Sequence, residues 1–89
     1  MSEQLDGRRS WVMTRYFFHI RDGDDLVEDT EGVELQDHAS AREEAIRAAR
    51  EMLAEKLLLG ERIDGELFEV TDESGRVVET IPFKSVMKI

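Results

Sequence analysis

Only one stretch of this chain, His38–Leu59, carries a helical period, and every patterned segment on either side of it alternates like a strand. A helix with an apolar stripe must bury that stripe against another element. Here the only candidate is a sheet. The sequence therefore predicts a two-layer α+β domain of order β-β-(β)-α-β-β. Its mainly antiparallel sheet has three to five strands, with one long helix packed on one face. A helical bundle is excluded for want of a second helix. A doubly wound parallel sheet is excluded because turns, not helices, join most of the strands.

The helix has defined ends. Asp37 is the expected N-cap, with Ser40 and Glu43 offering a capping box one turn later. Gly60 is the expected C′ residue. At about 100° per residue, Ala41, Ala45, Ala48, Ala49, Met52, Leu53, Leu57 and Leu59 gather with Ile46 on roughly half the circumference. Glu43, Glu44, Arg47, Arg50, Glu51 and Glu55 take the other half, with Glu43 and Arg47 in the favourable i,i+4 order. Lys56 falls inside the apolar arc, where its stem can lie flat while the ammonium reaches water. The alanines let the helix lie close to the sheet.

Arg15–Arg21 is the first strand, aromatic and β-branched as a half-buried pleated surface requires. Tyr16, Phe18 and Ile20 fall on one face; Phe17, His19 and Arg21 fall on the other. Turns at Asp22–Asp25 and Asp29–Gly32 separate it from short strands at Leu26–Glu28 and Val33–Leu35. After the helix, Ile63 is an isolated apolar anchor. Glu66–Asp72 and Arg76–Phe83 then form a second hairpin around Asp72-Glu73-Ser74-Gly75. Phe68 and Val70 share one side of the first of these strands. The inward face of Arg76–Phe83 stays open between Val77, Ile81 and Phe83 on one side and Val78 and Thr80 on the other. Pro82 makes that strand an edge or ends it, and Val86, Met87 and Ile89 are expected to add a last turn of packing.

Residues 1–12 show no period, contain Gly7 and Arg8-Arg9, and are expected to be a flexible tail preceding a single domain at 13–89. Met13 is the expected natural start, while Trp11 is the one residue of the tail suited to docking on the body. A chain of 89 residues holds one modest core, since a domain of this size buries only about 60% of its unfolded surface. With 12 basic and 21 acidic residues the net charge is −9. That argues against nucleic acid and against an anionic membrane as partners. The absence of cysteine excludes thiol chemistry and suits a cytoplasmic protein.

No arrangement of side chains points to catalysis. Asp22, Asp24, Asp25, Glu28, Asp29 and Glu31 offer hard oxygen ligands, but strands flank them and the spacing of a helix–loop–helix calcium site is absent. His19 and His38 have no second histidine or cysteine at zinc-ligand spacing. Ser10, Ser40, Ser74 and Ser85 stand in no nucleophile elbow, and the glycines, scattered singly, form no phosphate loop. The chain is thus expected to be no enzyme, with no catalytic residue, cofactor or metal.

Tyr16-Phe17-Phe18-His19, the Asp22-Gly23 turn, the Glu31-Gly32 turn and Asp37 followed by Ala41-Arg42-Glu43-Glu44-Ala45 resemble the opening of a family of short bacterial proteins. Phe68-Glu69-Val70-Thr71-Asp72-Glu73, Gly75-Arg76-Val77-Val78 and Ile81-Pro82-Phe83 resemble its close. The likeness covers Met13–Phe83 and implies no activity, because the family is a domain of unknown function. Glu43-Glu44-Ala45 and Ala49-Arg50-Glu51 also give a looser, fold-level likeness to HicB antitoxin domains, which implies a small basic toxin as partner. Two departures stand out: the family's aromatic-rich Pro-Gly-Cys segment is here Glu31-Gly32-Val33, and no DNA-binding extension follows Ile89.

The expected function is a small protein-binding or regulatory module, with Phe17, His19 and Arg21 as its partner surface. The partner is a second copy of the chain, associating through a sheet edge or the outer sheet face, or a basic protein attracted by the field of the whole molecule.

Overall fold

The computed structural model describes residues 12–87. The expected tail, Trp11 included, and the terminal Ile89 lie outside the described residues, apart from the exposed Val12. The elements are β1 (Thr14–Asp22), β2 (Asp25–Val27), β3 (Val33–Leu35), α1 (His38–Leu58), β4 (Leu67–Thr71), β5 (Val77–Pro82) and a 3-10 turn at Phe83–Val86. All pairings are antiparallel, in the order β2-β1-β4-β5. β2 and β3 take successive lengths of β1, the first at Ile20–Asp22 and the second at Thr14–Tyr16. The result is an α+β domain with one long helix on an antiparallel sheet, as the sequence predicts, with five strands at the upper end of the expected three to five.

α1 is closed at both ends by its own sequence. The Asp37 carboxylate accepts from the Ser40 N–H at 2.9 Å, so the N-cap is as expected. Gly60 has φ 74°, and the Glu61 and Gly60 N–H groups donate to the Lys56 and Leu57 carbonyls at 2.8 and 3.1 Å. That double bond pattern is a Schellman motif, which needs a residue in the left-handed region at C′.

The core forms where a row of i,i+4 residues on α1, Ala41, Ala45, Ala49 and Leu53, meets Tyr16, Phe68, Val70, Ile81 and Phe83. The three alanines are fully buried, so the helix backbone approaches the sheet closely and the aromatic rings fill the remaining volume. Phe68 lies 5.0 Å from Phe83 and meets Phe18 edge-on at 6.2 Å, centroid to centroid, within the range favoured for aromatic pairs.

Three features differ from the sequence reading or complete it. Leu57 and Leu59, expected in the core, are 61% and 66% exposed. A helix of 21 residues runs about 31 Å, whereas the five residues of β4 span about 17 Å, so the last turn passes the end of the sheet. Arg47 pairs with Glu44 at 2.6 Å and Glu51 at 3.0 Å, in place of the expected Glu43. In β5 the open question of the inward face is resolved by a bulge. Val70 lies opposite Glu79 and Thr71 opposite Val77, which leaves Val78 as the extra residue. Ile81 and Phe83 therefore point into the core, while Glu79 comes within 3.7 Å of Arg42.

Candidate partner-binding face of the sheet

Strand alternation puts Phe17, His19 and Arg21 on the face of β1 opposite α1. Their register partners on β4 are Thr71, Glu69 and Leu67, and those in turn face Val77, Thr80 and Pro82 of β5. β2 adds Leu26 opposite Arg21, and β3 adds Glu34 opposite Arg15. The three residues singled out from sequence are thus brought together, each half-buried, on a face that the one described helix does not cover.

Each of them is held in place. The Phe17 and His19 rings are parallel to within 5° with centroids 6.3 Å apart. His19 Nδ1 accepts the Asp29 N–H at 3.1 Å. With Nδ1 accepting, Nε2 is the ring nitrogen that donates to Thr71 Oγ1, at 3.2 Å. Arg21 meets Glu69 through Nε at 3.0 Å and a second nitrogen at 3.4 Å. Arg15 reaches Glu34 at 3.0 Å and the Glu31 carbonyl at 2.7 Å. The other histidine, His38, is exposed and lies edge-on to Tyr16 at 5.8 Å.

Asp29, in sequence one of six acids between Asp22 and Glu31, organises this face. The Phe18 N–H lies between the lengths of β1 that pair with β2 and β3, and it donates to Asp29 Oδ2 at 3.1 Å. Asp29 Oδ1 accepts from the Glu31 and Gly32 N–H groups, each at 3.1 Å. A side-chain carboxylate thus stands where a strand carbonyl would be. Partial burial pushes its pKa up, but the bonds from Phe18, Gly32 and Glu31 and the neighbouring His19 together hold it below the ordinary range. The signal available in sequence was an Asp followed three residues later by Gly, the pattern of an Asx turn.

The same loop needs Gly32. With φ 72° a side chain there is strained, and a Cβ would stand 2.8 Å from both the Tyr16 carbonyl oxygen and Arg15 Cγ, and 3.0 Å from Phe17 Cδ2. Gly23 has a similar φ of 63° with nothing within 4 Å. Gly23→Ala is therefore expected to cost about 1 kcal/mol, the left-handed penalty alone. Gly32→Ala is expected to cost about 3 kcal/mol, because backbone must also move. Urea denaturation midpoints of the two variants measure the difference.

Two serines away from this face are engaged locally. Ser74 Oγ donates to Asp72 at 2.7 Å and Ser85 Oγ to the Pro82 carbonyl at 2.7 Å. Among the described residues no three His, Asp or Glu side chains converge as a metal site would require. No described helix is long and apolar enough to cross a membrane.

Fold and surface together define a two-layer α+β domain that presents an aromatic- and arginine-bearing sheet face. The chain belongs to the family described as a domain of unknown function (DUF6894), whose model matches residues 15–84. No curated protein and no solved structure matches it.

Proposed function

We propose that this protein is a non-enzymatic binding module that receives a basic protein partner on the sheet face opposite α1, with Phe17, His19 and Arg21 at its centre. The observation that carries the reading is the Phe17–His19 stack, fixed by Asp29 and Thr71 yet left half-exposed. Aromatic and arginine side chains already locked in one conformation lose little entropy on binding, which is how a few residues come to dominate an interface. Glu69 pairs with Arg21, while Glu34 pairs with the neighbouring Arg15 side chain and Glu73 accepts the Arg15 N–H at 3.1 Å. With a net charge of −9, the whole molecule steers basic partners toward this face. A basic partner is also what the HicB likeness implies.

Affinity capture followed by calorimetry on the captured partner tests the proposal. Phe17→Ala and His19→Ala are expected to weaken binding at least tenfold, about 1.4 kcal/mol, and Arg47→Ala on the helix to leave it unchanged. Binding indifferent to both sheet variants would overturn the reading. No measurable binding to duplex RNA or DNA is expected at physiological salt. Arg42, Arg47 and Arg50 are interleaved with Glu43, Glu44, Glu51 and Glu55, so no basic stripe exists to release counterions. Micromolar, salt-sensitive mobility shifts would contradict this.

A further inference from the structure

The largest exposed apolar side chains cluster at the C-terminal tip of α1, on the opposite side of the molecule's fold from the candidate sheet face. Leu57, Leu58 and Leu59 point in three directions around the last turn, and Leu58 is 87% exposed. Ala54 and Met87 are exposed beside them. Three consecutive leucines at a helix end turn apolar surface in several directions, yet the sheet stops short of them. Leu53, Ala54, Leu57, Val86, Met87 and Arg50 line a groove of about 230 Å³ against this tip. The outer sheet face, by contrast, is crossed by the Arg21–Glu69 pair and the His19–Thr71 bond, a polar mixture typical of a transient contact.

We propose that this tip, and not the sheet, is the interface through which two copies of the chain associate, the Leu58 side chain of each seated in the groove of the other. Two properties select a second copy as the occupant. The tip carries both a projecting leucine and a groove to receive one, so a single two-fold operation satisfies both copies at once. The charges also match. The groove is rimmed by Arg50, which has no ion-pair partner among the described residues. Leu58 is flanked one helical turn back by Glu55, likewise unpaired among them. Seating Leu58 brings Glu55 of one copy to Arg50 of the other, twice per dimer. Ala54, with only a methyl group, lets the helices approach closely. The inference is independent of the sheet-face reading; together they give a two-fold module presenting two recognition faces.

Sedimentation equilibrium of the full chain at micromolar concentration tests it. The wild type is expected to be a dimer. Leu58→Glu and Leu57→Gln are expected to give monomers with unchanged circular dichroism, while Leu26→Glu, on the sheet face, remains dimeric. Arg50→Glu should weaken the dimer at least tenfold, and adding Glu55→Arg should restore it. A monomeric wild type overturns the proposal. So does loss of the dimer in Leu26→Glu with retention in Leu58→Glu, or failure of the charge exchange to restore association. Loss of helical dichroism in both leucine variants also overturns it, since the tip would then belong to the monomer's own core.

Discussion

Leu53→Asp is expected to leave the chain unfolded by circular dichroism at neutral pH, whereas Leu58→Asp, five residues further along the same helix, keeps its helical spectrum. Leu53 is 4% exposed and closes the row that begins at Ala41. A carboxylate at this 4%-exposed position is taken out of water into an apolar row, at a cost of several kcal/mol. The loss of leucine packing adds about 2–5 kcal/mol. Set against total stabilities of about 5–15 kcal/mol, and the lower part of that range for so short a chain, the sum exceeds what the fold has. Met52, only partly buried beside the core, is a milder case: Met52→Asp is expected to destabilise without abolishing the fold when tested in the same way. Arg47→Ala removes two exposed ion pairs and should change stability by less than about 1 kcal/mol. A folded Leu53→Asp variant would mean that α1 presents a different face to the sheet.

That contrast between Leu53 and Leu58 marks how far the sequence was legible. Helical period, the Asp37 cap and the Gly60 stop are local properties, so α1 could be bounded almost to the residue. The hairpins were legible for the same reason, through Gly23 and Gly75 in turns and the alternation around them. The facing of β1 followed from a single rule, and it placed Phe17, His19 and Arg21 together correctly. What periodicity does not contain is where the opposing surface ends. Leu57 and Leu59 lie near the arc of Leu53, but burial needs a strand beneath them, and β4 is too short to supply one. The orientation of β5 was open because the bulge at Val78 resets the alternation midway. Asp29 was illegible as a structural residue because its chief partner, the Phe18 N–H, is eleven residues away and becomes available only through the gap between β2 and β3.

Asp29→Ala is the second substitution expected to have a large effect, and its signature is a dependence on pH. The carboxylate accepts three backbone N–H bonds, and bonds to a charged acceptor contribute about 1.5–3 kcal/mol each when buried. Water can replace the exposed bond to Glu31 more readily than the part-buried ones to Phe18 and Gly32. A total loss of about 3 kcal/mol at pH 7 follows, together with disorder in the loop that fixes the Phe17–His19 stack. Because the folded pKa of Asp29 lies below its unfolded value, its contribution is complete above the unfolded carboxylate pKa of about 3.9. It is lost as pH falls through the folded value. Urea titrations of wild type and Asp29→Ala should therefore differ by a constant amount at neutral pH and by a smaller amount below about pH 4. Asp29→Asn keeps the shape but replaces one acceptor oxygen with an NH2 group that confronts a backbone N–H, so it should recover only part of the loss. A gap between wild type and Asp29→Ala that stayed constant into strong acid would show that the carboxylate's charge does not hold the loop against β1.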